Sequence, residues 1–110
     1  MLFFVRAELL EMPPMPREQW LGRVASTWEV IKQLEQNGKV LGGGAFIGQR
    51  GGCVIADVES NEELADMLNR LPLSGYLEWE VVPMIPAERA LESAKWALQQ
   101  VSQASRAAAN

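Results

Sequence analysis

At 110 residues, with 48% apolar and 22% charged side chains, the chain has the size and composition of one globular domain around one hydrophobic core. A net charge of −4 and ten scattered basic residues exclude a surface that tracks phosphates, so nucleic acid is not an expected partner. Histidine is absent and Cys53 is the lone cysteine, which removes the commonest general base, the usual metal ligand and any internal disulfide. No metal and no cofactor are expected. No apolar run reaches the roughly 20 residues of a membrane helix, and no signal-peptide pattern opens the chain. A cytoplasmic protein without a membrane partner is the expectation, and a single free thiol suits a reducing compartment.

Residues 2–9 alternate, with Phe3, Val5, Ala7 and Leu9 on one face and Leu2, Phe4, Arg6 and Glu8 on the other, the pattern of a strand. Met12-Pro-Pro-Met-Pro16 reads as a stiff connector whose last proline opens a helix. Trp20, Val24, Thr27, Trp28, Ile31 and Leu34 mark that helix, about five to six turns long, and Asn37-Gly38 stops it. Lys39 to Ile47 is predicted as a second strand, with Gly42-Gly43-Gly44 inside it, and Cys53 to Val58 as a third beyond the turn Gln49-Arg50-Gly51-Gly52. Ser60 and Glu63 form a capping box ahead of Leu64, Met67, Leu68 and Leu71, and Pro72 ends the helix. From Tyr76 to Val82 the period becomes two, Leu77, Trp79 and Val81 against Glu78 and Glu80. Pro83 and Pro86 bracket a turn. Ala87, Leu91, Ala94, Leu98 and Val101 then predict a third helix that frays into Ala107–Asn110, its narrow stripe covering a sheet edge or meeting a partner chain. Up to Val82 the order is β-α-β-β-α-β, the ferredoxin-like α+β arrangement of a four-stranded antiparallel sheet with two helices on one face.

Asp57-Val-Glu-Ser-Asn-Glu-Glu-Leu64, Leu71-Pro-Leu73, Tyr76-x-x-x-Glu80-Val81, Met1-Leu-Phe-Phe-Val5 and Gly38-Lys39 resemble the muconolactone delta-isomerase family. The resemblance covers residues 1–84 and leaves 85–110 as a helical extension of the same domain. It implies a dimeric α+β barrel, a homodimer or higher homo-oligomer whose sheets face each other and hide Leu2, Phe4 and Val54. It also implies a small-molecule ligand and a Lys and a Glu one turn apart on the first helix, pointing into a pocket. Counting back from Gly38-Lys39 puts Val24 and Thr27 at those positions, and neither does acid–base work at neutral pH. Where the isomerases carry bulky aromatic and basic residues, this chain has Val40-Leu-Gly-Gly-Gly-Ala45. Arg50-Gly-Gly52 stands where they show Tyr and Asn.

The candidate catalytic residues are Glu80 as base, with Glu8 and Glu78 as alternatives, and Arg50 or Arg6 as electrophilic helper. The plainer reading, and the favoured one, pairs Arg6 with Glu78 or Glu80 across the strand ladder as an ion-pair ladder at or near the dimer face. Phe4, Trp20, Val24, Thr27, Trp28, Gly43 and Cys53 are the candidate ligand contacts. Each has a plainer reading: the glycine run as a bulge and bend, Arg50 as a solvated turn residue, Cys53 as packing, Trp28 and Trp79 as core. Trp96 lies off the stripe of its helix. Three functions are consistent with this sequence: a cofactor-free isomerase or cyclase acting on a small unsaturated lactone or polyketide-like compound by proton transfer next to a carbonyl, a binding module on the same scaffold, or a cofactor-independent monooxygenase.

Overall fold

Alternation in the strands decides which side chains meet the helices. The computed structural model describes residues 1–109. It contains β1 (Leu2–Leu9), α1 (Arg17–Gln36), β2 (Val40–Ala45), β3 (Gly51–Asp57), α2 (Asn61–Asn69), β4 (Leu77–Met84) and α3 (Ala87–Ala109), with a 3-10 turn at Ser74–Tyr76. The strands form one antiparallel sheet in the order β2-β3-β1-β4, as the ferredoxin-like reading expects. Phe3 and Val5 lie opposite Ala56 and Val54, and with Val58 and Leu64 they build the core under the helices. Burying each such Val, Leu or Phe contributes about 1.5–3 kcal/mol.

Val54 corrects the expectation that it shares the uncovered face with Leu2 and Phe4. Its register opposite Val5 turns it toward the helices, and it packs against the core. Ile55 takes the outward position opposite Phe4. With a side-chain period of two, one residue of displacement exchanges the faces.

The ends of the helices follow their sequence signals. At the end of α1, Gly38 N–H bonds to Glu35 O at 3.1 Å and Lys39 N–H to Leu34 O at 2.9 Å, the paired bonds of a Schellman stop. In α2 the Ser60 Oγ accepts from Glu63 N–H at 3.1 Å. The return contact differs from a standard capping box, since the Glu63 carboxylate accepts from Glu59 N–H at 3.0 Å rather than from Ser60. Lys39, just before β2, reaches across to the same carboxylate at 2.7 Å. That hydrogen bond holds the Lys39 ammonium above its usual pKa; the same bond, with the one from Glu59, holds Glu63 below the usual carboxylate range.

The glycine run in β2 is a bulge. Register shifts between Val40 and Gly42, so Leu41 is the extra residue. Gly43 has φ +138, and a Cβ there would stand 2.1 Å from Cys53 O, which no other residue tolerates. At the other edge, β4 runs two residues further than the alternation suggested, and Pro83 lies inside the strand rather than in the turn. An edge strand accepts proline because one row of its N–H groups has no ladder partner.

α3 is continuous through Ala109 rather than fraying at Ala107, while Asn110 falls outside the described residues. All of its described side chains are exposed, so the apolar stripe covers no edge of its own sheet. It projects from the domain and makes the molecule 75 × 28 × 23 Å. No helix among the described residues is long and apolar enough to cross a membrane.

Candidate functional site

Between α1 and the helix-side face of the sheet lies a chamber of about 580 Å³. The floor comes from β1 and β4 through Val5, Ala7, Leu9, Leu77 and Trp79, and from β3 through Gly51, Gly52 and Val54. The roof is one face of α1: Trp20, Val24, Thr27, Trp28 and Ile31 recur at three- and four-residue steps. Leu68, Leu71 and Leu73 close one side, Met12, Met15 and Arg17 a second, and the hairpin residues Phe46, Gln49 and Arg50 a third.

Trp28 owes its place to a glycine. A Cβ on Gly52 would meet the Trp28 indole at 3.0 Å and Gly44 O at 2.6 Å, so only glycine lets the ring lie on the strand. Trp20 is buried and meets Tyr76 edge-on, with ring centroids 5.9 Å apart at 82°. Thr27 is buried too, and its hydroxyl donates to Arg23 O at 2.9 Å, so its polar atom is engaged within the helix. Among the described residues of the wall, Arg17 and Arg50 are the charged side chains. No carboxylate is among the described residues that line the chamber.

The chamber therefore gathers Trp20, Val24, Thr27, Trp28 and Arg50 from the sequence candidates. Cys53 reaches the wall as well, but it lies opposite Arg6 and Gly44, in the outward alternation of β3. Gly43 is absent from the wall, where Ala45 stands instead. Glu80, Arg6 and Phe4 lie on the opposite face of the sheet, with Glu8 and Glu78 beside them. Arg6 is in register with Glu80 but does not pair with it or with Glu78. Its guanidinium turns along its own strand to Glu8, approaches Gln49 Oε1 at 3.4 Å, and sits 5.0 Å over the Phe46 ring. The ladder pairing expected for Arg6 is replaced by a contact with the β2–β3 hairpin.

Sequence reasoning missed Met12, Met15, Phe46, Gln49, Leu71, Leu73 and Gly52 as wall residues. Gly52 alone carried a local signal, a glycine inside a strand. The others lie in connectors or beside turns, and Phe46 and Gln49 reach the wall through the hairpin at the end of β1, where Leu9 N–H bonds to Arg50 O at 2.8 Å.

An α+β sandwich with an oily chamber between sheet and first helix, and arginines in its wall, defines a small-ligand protein of the ferredoxin-like class. The family model described as muconolactone delta-isomerase matches residues 1–88, and the chain belongs to that family. A muconolactone delta-isomerase from Acinetobacter baylyi is 36% identical over 85 residues, spanning 76% of this chain and 88% of that protein. A crystal structure of muconolactone isomerase superposes with a TM-score of 0.71 at 27% identity, covering 78% of this chain and 90% of that one. The 5-chloro-2-hydroxyhydroquinone dehydrochlorinase of Burkholderia phenoliruptrix, solved with 2,5-dihydroxybenzoquinone, has a TM-score of 0.62 at 18% identity over 81% of this chain and 98% of its own. That last likeness is one of fold alone.

Proposed function

We propose that this chain is a cofactor-free isomerase that admits a small unsaturated lactone bearing a carboxylate and moves a proton next to its carbonyl. The chamber carries the reading: about 580 Å³, walled by Trp20, Trp28 and Trp79, with Arg17 and Arg50 as its charged side chains. Indole and aliphatic walls suit a flat conjugated ring, and a guanidinium fork suits a carboxylate or an enolate oxygen. The Acinetobacter relative is named for muconolactone, a butenolide with a carboxylate arm, and a molecule of that size fits the volume.

In this reading Arg50 holds the anion and stabilises the enolate that forms when the proton leaves. With no carboxylate among the described wall residues, the ligand's own carboxylate takes the proton from the ring carbon that bears its arm, exchanges it with solvent and returns it to the carbon next to the lactone carbonyl, so the double bond shifts with no net proton gained or lost. Glu80 and Arg6 are assigned, with Glu8 and Glu78, to the contact between two copies rather than to chemistry. Two sheets pack face to face and cover Phe4, Ile55 and Val82, of which Ile55 is 37% and Val82 40% exposed in the single chain. The homodimer works in the cytoplasm, where Cys53 stays a free thiol.

The missing carboxylate, together with Val24 and Thr27 in the roof, favours a second reading: a binding module that holds such a ligand without turnover. Incubation with muconolactone in heavy water, followed by proton NMR, separates the two. The isomerase shifts the double bond and gains deuterium at the protonated carbon, and Arg50→Ala slows this by about tenfold to a hundredfold. The binding module quenches tryptophan fluorescence and leaves the lactone unchanged. Oxygen uptake would point to the monooxygenase instead. Absence of both turnover and binding of muconolactone would remove the lactone assignment.

A further inference from the structure

The last helix belongs to neither face of the sheet. α3 starts two residues beyond β4, across Ile85-Pro86, and its 23 residues extend about 34 Å at 1.5 Å per residue. Pro83 and Pro86 fix φ on either side of the junction and stiffen it. Leu91, Leu98 and Val101 are 55%, 66% and 63% exposed. The family match ends at residue 88, so the shared fold does not account for this element. Helices in proteins draw most of their stability from packing an apolar face, and this one has no such packing among the described residues of its own chain.

The exposed face repeats every seven residues. Leu91 and Leu98 occupy one row; Ala87, Ala94, Val101 and Ala108 occupy the other. Large residues in one row and mostly small ones in the other make the face complementary to itself when reversed. Leu91 of one copy then lies over Ala94 of a second, and Leu98 over Ala87. The same register brings Glu88 of each copy beside Lys95 of the other, along one flank. Arg89 and Glu92 already pair at 2.8 Å within their helix, while Glu88 and Lys95 have no ion-pair partner among the described residues. Ala90, Ala97 and Ala104 form the other flank, where their size lets two backbones approach closely. A membrane surface is a poorer occupant. Glu88 and Glu92 nearly balance Arg89, Lys95 and Arg106, unlike the cationic face of a surface-bound helix.

We propose that α3 is a self-recognition element that pairs antiparallel with α3 of a second copy, through the Leu91/Ala94/Leu98 face and two Glu88–Lys95 contacts. The inference does not depend on the chemistry assigned to the chamber. Sedimentation equilibrium of the full chain over a concentration series tests it. Leu91→Glu with Leu98→Glu is expected to halve the mass of the assembly or raise its dissociation concentration at least tenfold, with the urea midpoint of the domain unchanged. Glu88→Lys alone and Lys95→Glu alone each weaken association, and the two together restore it to within about twofold, because the swapped charges face each other again. An assembly indifferent to the leucine changes would overturn the proposal. So would a double charge swap no better than the single ones, since only reversed pairing of identical helices predicts rescue.

Discussion

On the helix side of the sheet, Phe3, Val5, Ala56 and Trp79 pack with α2; on the other side, Phe4, Arg6, Ile55 and Glu80 face outward. These two sets are interleaved residue by residue along the same strands. Val5 and Trp79 of the first set line a chamber with aromatic walls and no carboxylate among its described wall residues, while the second set presents an apolar patch beside a row of charges. Neighbours in sequence therefore end up in different chemical surroundings, and residues fifty positions apart share one. The acidic residues of β4 look available to a pocket in the sequence, but their alternation commits them to the face where the chamber is not.

The comparison breaks most visibly at the glycines. Gly43→Ala is expected to lower stability by about 3 kcal/mol, since it forces a side chain into a positive-φ bulge against Cys53 O. Gly44→Ala, with open space at the Cβ, should change it by less than about 1 kcal/mol. Urea unfolding of both variants checks this; equal costs would mean that the bulge geometry is wrong. Next in size, Trp28→Ala should cost about 2–3 kcal/mol, below the loss for a fully buried indole, and should enlarge the chamber. Its ligand affinity should fall with its stability, whereas Val82→Thr on the outward face should leave chamber binding as it is.

Smaller still is the effect of pH through the Lys39–Glu63 pair, which lies outside both faces and sets a baseline for them. Glu63 is held below its ordinary value by the Lys39 bond, so its contribution is complete above the unfolded carboxylate value of about 4.3. It fades as pH falls through the lower folded value. Lys39 is shifted the other way, and its contribution is complete below the unfolded value of about 10.4 and fades as pH rises through the higher folded one. Lys39→Met should flatten the acid limb of a stability–pH curve; an unchanged limb would show that the pair is not formed in solution.

Much of the fold was legible because its signals are local. Ser60, Glu63 and Pro72 delimit α2, Asn37-Gly38 ends α1, and alternation marks β1 and β4. The bulge at Leu41 was legible as one of two readings of the glycine run, and only the pairing of β2 with β3 selects it. Of the site, the α1 face showed in its spacing, and Arg50 showed as a turn residue with a ligand-binding alternative. The side of the sheet that holds the chamber was not legible for Glu80, Arg6, Phe4 and Gly43. Alternation sets Glu80, Arg6 and Phe4 on one shared face, but the face on which α1 leaves a chamber, and the facing of Gly43 in its bulge, depend on packing between elements far apart in sequence. The contact of Arg6 with Phe46 and Gln49 depends on a hairpin folding over the end of β1.

The central claim is that ligand is held on the helix side of the sheet, and a fluorescence titration with muconolactone against a matched pair of variants tests it most directly. Arg50→Ala should weaken binding about tenfold or more, while Glu80→Gln should leave the dissociation constant within about twofold of the unaltered chain. A reversed pattern, with Glu80→Gln weakening binding and Arg50→Ala indifferent, would contradict the account and move the site to the outward face.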